Sequence, residues 1–302
     1  VSVHTVRRII DDTARLLTIK PLHDLPEHLC FDEFKSVKSS DSNMSFIICD
    51  STTHKLVDVV RDRKSYSLKN YFHRFEPKTR LKVKTISIDM YLPYIQLIKE
   101  MFPNAKIIID PFHIVQALNR ELNRTRVRVM NKHRYKDPKL YRKLKHYWKL
   151  ILKNPNELQN YKYSRYKLFE SFITSKGIVD YILENNPSLK NDYEVVHSLR
   201  ECIQDRDYIE FKETIEAATQ LDLSPGLKRV LKTLITYLPY IQNTCEHPTR
   251  TNGPIEGINN KIKVLKRNAY GFRNYYHFRN RIILITKMFG PKQKGIKQQL
   301  VA

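Results

Sequence analysis

Among the 34 residues from Thr251 to Leu284, Glu256 is the only acid, and it sits among seven lysines and arginines. A carboxylate kept inside a cationic stretch suits a site that holds divalent cations beside a phosphate backbone. The plainer reading is a first-turn glutamate that favours the helix dipole and pairs with lysine. The metal reading demands partner acids elsewhere. Phosphodiester chemistry with two cations about 4 Å apart needs several carboxylate oxygens, one cation serving the attacking oxygen and the other the leaving one. The candidates are Asp32 or Glu33, Asp50, Asp58, Asp89, Asp110 and Glu256.

These residues need elements to position them. Thr251-Asn252-Gly253-Pro254 reads as a turn that launches a helix, with Pro254 suited to a first helical position. On that helix Glu256, Asn260, Lys263 and Arg267 share one face, while Ile258, Ile262 and Leu265 supply an apolar one. Upstream, HLCFDEF (28–34), MSFIICD (44–50) and KLVDVVR (55–61) alternate as three short strands of an antiparallel meander. A helix over 66–75, ended by Pro77, precedes a strand at 83–90, a helix at 91–102 and a strand at 105–110. The last two strands, joined by a helical crossover, should be parallel.

That order of elements is the ribonuclease-H-like one, an α/β fold with a mixed five-stranded sheet ordered 3-2-1-4-5. The first and fourth strands are then neighbours, so Asp32 and Asp89 should converge at the switch between sheet halves. Asp50 and Asp58 fall on outer strands, where a strand-end or surface role suffices. Asp110 reads as the N-cap of a helix with Pro111 at its first position, farther from Asp32 than Asp89 is. His113, one turn in, is either a metal-site residue or an ordinary helix histidine.

Composition narrows the partners. The 302 residues carry a formal charge of +23, which points to nucleic acid or an anionic membrane. No apolar run is long enough to cross a membrane, and the first residues do not resemble a signal peptide, so a soluble intracellular protein is expected. The four cysteines form no CxxC pair, and no glycine-rich phosphate loop appears, so neither a cysteine zinc site nor a nucleotide cofactor is expected.

Residues 111–245 read as long basic helices. Between Arg120 and Glu170 sixteen lysines and arginines face four acids, interleaved with Tyr135, Tyr141, Tyr147, Trp148, Tyr161, Tyr163 and Tyr166, a bias that favours a DNA-facing surface over a solvated one. Acids return over 181–219, a balanced patch suited to packing or dimerisation. At the start of the chain, VSVHTVRRII looks either like the last helix of a helix-turn-helix or like a plain packing helix.

Asp32 in CFDEF, Asp89 in ISIDMYLPYI, the segment FPNAKIIIDPFHIVQALN and TNGPIEGINNKIKVLKRNAYGFRNYYHFRNRI together resemble the DDE transposases of bacterial insertion sequences. The likeness runs over roughly residues 1–285 and is greatest to the group with an N-terminal zinc-binding and helix-turn-helix region. It implies a catalytic, metal-holding triad of Asp32, Asp89 and Glu256, two Mg²⁺ (or Mn²⁺) ions, and strand cleavage and transfer by in-line phosphoryl transfer. Asp110 and His113 match an Asp-x-x-His element with a supporting role. Asn260, Lys261, Lys263, Lys266, Arg267 and Arg273 would meet DNA.

The resemblance implies four segments: residues 1–20 as a helix-turn-helix remnant, 28–115 as the first part of the core, 116–245 as an all-α insertion and 246–302 as the completion carrying the Glu256 helix. It also implies double-stranded DNA as partner, both element ends and target, a homodimer or higher assembly on DNA, and a bacterial cytoplasmic, nucleoid-associated location. With only VSVHTVRRII present of the N-terminal region, weak recognition of specific ends is expected. Two other readings stay open, a nuclease or resolvase of the same fold and a non-catalytic DNA-binding remnant.

Overall fold

The computed structural model describes residues 1–18, 24–40 and 42–288. The chain divides into two compact units, one of Val1–Ile108 with Thr249–Ala302 and one of Ile109–Pro248. The first holds a five-stranded sheet built from β1 (His28–Lys35), β2 (Met44–Asp50), β3 (Leu56–Val60), β4 (Thr85–Ile88) and β5 (Lys106–Ile109). Its order is β3-β2-β1-β4-β5, with β1 antiparallel to β2 and parallel to β4. The mixed sheet and its order are those of a ribonuclease-H-like fold, as the alternation of the strands and the helical crossover predict.

Both faces of the central strand β1 are covered, and strand parity sorts its residues between them. Phe31 packs with Phe46, stacks on Phe72 of α1 (Ser65–Phe72) and meets Phe102, which follows α2 (Leu92–Met101). Cys30 and Phe34 look the other way. There Ile255, Ile258 and Ile262 of α3 (Gly253–Asn268) and Tyr275, Phe278, Ile282 and Ile283 of α4 (Tyr275–Met288) complete a second core. Pro77, expected to end the helix at 66–75, instead opens a separate short helix, α5 (Pro77–Leu81). A proline at the first helical position loses no hydrogen bond, so it starts a turn as readily as it stops one.

The N-terminal helix, α6 (Val3–Leu17), lies on α4: Asp11 accepts from Asn280 Nδ2 at 2.8 Å, and Lys287 Nζ donates to the Leu17 carbonyl at 2.7 Å. No helix among the described residues is long and apolar enough to cross a membrane.

The second unit is helical apart from a two-residue strand pair. Its long members are α7 (Pro111–Lys136), α8 (Pro187–Asp205) and α9 (Pro225–Glu246). Asp192, fully buried, ties the three together by accepting from Thr125 Oγ1 at 2.7 Å and from the Ser224 backbone at 3.0 Å. His197 on α8 bridges the Ile151 carbonyl at 3.0 Å and Arg200 at 3.1 Å. An arginine facing Nδ1 requires a neutral ring with its proton on Nε2. Burial, opposed in part by the Ile151 carbonyl, depresses the His197 pKa to about 4. The unfolded chain therefore binds a proton near pH 6.5 that the folded one refuses, so stability falls as pH drops from 6.5 towards 4. We expect His197→Gln to flatten that acid limb of a pH series of urea unfolding midpoints.

Candidate catalytic and metal-holding site

The register of β1 and β4 pairs Cys30 with Ser87. Continued by two residues, it sets Asp32 beside Asp89, just past the end of β4 and on the face that carries Cys30 and Phe34. Parity thus separates Asp32 from its neighbour. Glu33 points to the opposite face, where it accepts both oxygens' worth of Arg63 at 2.6 and 2.7 Å and the Tyr94 hydroxyl at 3.0 Å. The outer acids have structural partners as well. Asp50 caps a turn through Thr52 and Thr53, and Asp58 binds Arg279 and Tyr71.

Two asparagines that composition did not single out reach the central carboxylates. Asn259 Nδ2 donates to Asp32 Oδ2 at 2.8 Å, and Asn252 Nδ2 donates to Asp89 Oδ1 at 3.2 Å and to the Phe31 carbonyl at 3.3 Å. They are 9% and 5% exposed, and each Oδ1 is buried with no hydrogen-bond partner. Reversing either amide would set an oxygen against a carboxylate, so the acids themselves fix the orientation. Asn252 precedes α3 and Glu256 lies in its first turn, so Asn252, Glu256 and Asn259 follow one line of the helix at i, i+4 and i+7. Glu256 itself is exposed. The signal for the asparagines was their spacing from Glu256, not their residue type. Asn252→Ala strips a donor from the Phe31 carbonyl and Asp89 together, and we expect it to cost about 1–3 kcal/mol in urea unfolding.

Beyond β5 the chain runs directly into Asp110 and the first turn of α7. Asp110 is the N-cap, accepting from the Phe112 backbone at 3.3 Å. Asp32 and Asp89 offer hard carboxylate oxygens, the donor type that suits a hard divalent cation.

Of the cations and amides expected to meet DNA, Asn260, Lys261, Lys263, Arg267 and Arg273 are exposed. Lys266 is committed to the protein. Its Nζ donates to the carbonyls of Lys35 and Ser36 at 2.9 and 3.0 Å, and burial lowers its pKa.

Residues 29–282 match the ISL3-type DDE family, described as transposase. The chain belongs to that transposase family. The transposase for insertion sequence element IS1001 of Bordetella parapertussis is 28% identical over 280 residues, covering 91% of this chain and 64% of that protein. A Lactococcus lactis subsp. lactis protein named as an ATP-dependent protease is 38% identical over 112 residues, 37% of this chain and 35% of that one. The chain thus spans less than two thirds of the length of either relative. No solved structure matches. For a DDE transposase, use of divalent metal follows from the family.

Proposed function

We propose that this transposase cleaves DNA strands and joins them to a target by two successive in-line displacements on phosphorus. The observation that carries the reading is the pair Asp32, on β1, and Asp89, just past the end of the neighbouring parallel strand β4, each accepting from one of two amides that flank Glu256 along α3. Asp32, Asp89 and Glu256 would hold two Mg²⁺ or Mn²⁺ ions, with Asp110 and His113 supporting them. Bound there, such ions lower the pKa of the attacking hydroxyl and neutralise charge on the leaving oxygen.

The chain's own residues do the rest. Asn252 and Asn259 hold two carboxylates in fixed rotamers, so the acids need not reorganise when DNA arrives. Lys261, Lys263 and Arg267, exposed on the same helix, would grip phosphates and orient the scissile one. In the first step a water oxygen bonds to phosphorus and the bond to the 3′ oxygen breaks, leaving a 3′-hydroxyl and a 5′-phosphate. In the second, that 3′-hydroxyl attacks a target phosphodiester and displaces its 3′ oxygen. Double-stranded DNA, both the element ends and the target, is the substrate.

End-labelled DNA incubated with the protein and Mn²⁺ tests this. Nicked and strand-transfer products are expected. Nicks alone would reduce the reading to a nuclease, and no cleavage under any divalent ion would leave only DNA binding.

Asp110 can be tested separately. Asparagine caps a helix as well as aspartate does, whereas alanine costs about 1 kcal/mol. Asp110→Asn is therefore expected to keep the thermal midpoint of the metal-free protein and to weaken the stabilisation that Mn²⁺ confers. An unchanged Mn²⁺ shift would confine Asp110 to capping.

A further inference from the structure

Within the helical unit, the chain between Leu158 and Ser175 forms a small hairpin. Its strands are β6 (Ser164–Arg165) and β7 (Phe172–Ile173), with Ser164 opposite Ile173 and Arg165 opposite Phe172. One side of it is fixed to the unit. The Tyr147 hydroxyl donates to the Lys167 carbonyl, Phe169 packs against Tyr147 and Tyr181, and Lys143 Nζ lies 4.3 Å and 4.0 Å from the centres of the Phe169 and Tyr181 rings. Its base is closed by Gln159, whose backbone N–H donates to Ser175 Oγ at 2.8 Å while its carbonyl accepts from the Lys176 backbone at 3.1 Å.

The other side is unlike an ordinary soluble surface. Arg165 and Phe172, directly opposite in the register, point the same way, and Tyr163, two residues before Arg165, shares their parity. Tyr161, Tyr163 and Phe172 are 77%, 66% and 68% exposed. Lys162, Arg165 and Lys167 are exposed beside them, with Glu170 the only acid in the stretch from Tyr161 to Phe172. Three aromatic rings in water on a pinned ribbon, set among cations, have the makings of a stacking platform. Base faces stack on such rings whatever the sequence, while the cations track the phosphates. In a paired duplex the base faces are covered by their neighbours, so only an unpaired or frayed strand presents them.

We infer that this hairpin binds unpaired DNA, with Tyr161, Tyr163 and Phe172 stacking on successive bases and Lys162, Arg165 and Lys167 on the backbone. The inference rests on the DNA-processing reading above but needs no cleavage to occur. The test is fluorescence anisotropy of the full chain, without divalent ions, on a thymidine oligomer and on a random duplex of equal length across a salt series. Replacing all three rings (Tyr161→Ala, Tyr163→Ala, Phe172→Ala) should weaken oligomer binding about tenfold or more and duplex binding less than about threefold. The slope of log affinity against log salt should not move, because the cations remain. The ring-keeping set Tyr161→Phe, Tyr163→Phe and Phe172→Tyr should bind the oligomer as the parent does, and the parent should quench 2-aminopurine in it.

Equal losses on both DNAs, no loss on either, or failure of the ring-keeping set would overturn the inference. So would a shift of the alanine variant from dimer to monomer in sedimentation, which would make the rings a protein contact. Because the assay lacks metal, an absence of cleavage elsewhere leaves its result standing, and its failure leaves the cleavage reading untouched.

Discussion

Glu256→Gln is expected to lower strand cleavage by about 10³-fold or more, roughly 4 kcal/mol of barrier, while DNA affinity stays level or rises. The amide keeps the side chain's shape but removes an anionic ligand from the proposed metal site, and it removes a charge that repels phosphate. The side chain is exposed in the first turn of α3, so the swap should leave the fold intact. Asp50→Asn is the matched control. Asp50 organises a turn through Thr52 and Thr53, and its amide should retain near-parent activity. Cleavage assays on one labelled substrate, with a filter-binding measurement beside them, read both quantities. Comparable damage from the two substitutions would show that the choice among the acids is wrong.

The second large effect is on binding. With a formal charge of +23 and sixteen lysines and arginines between Arg120 and Glu170, the chain should bind duplex DNA of any sequence. If it neutralises about 6–10 phosphates, affinity should fall by about 10³–10⁵ between 50 and 200 mM salt, through rebinding of the displaced counterions. Such contacts position a protein without reading bases. Competition between terminal-repeat and random duplex at fixed salt is therefore expected to show little preference. A preference of about a hundredfold or more would mean that the helical unit or α3 reads base edges directly, at about 1–3 kcal/mol per good contact. A shallow salt dependence would place the basic segment away from the phosphates.

The sequence by itself determined the sheet, because period-two alternation and a helical crossover leave few topologies open, and β1, β2 and β4 follow from them. It determined the family too, since CFDEF, ISIDMYLPYI and the segment closing at Ile282 are long enough to identify. It also singled out Glu256, because a lone acid among seven cations is visible as composition.

Strand parity and the resemblance pointed to Asp32 over Glu33, and the structure adds their partners, Asn259 for Asp32 and Arg63 for Glu33. Adjacent residues on a strand face opposite sides, and which side meets α3 depends on how the helices pack. Only the tertiary structure decided Lys266, whose charge looked available for DNA and is turned onto two strand carbonyls. Asn252 and Asn259 were the least legible. An asparagine carries no charge to stand out in a sequence, and its importance here comes from two carboxylates 163 and 227 residues away in the chain that packing brings to within a hydrogen bond.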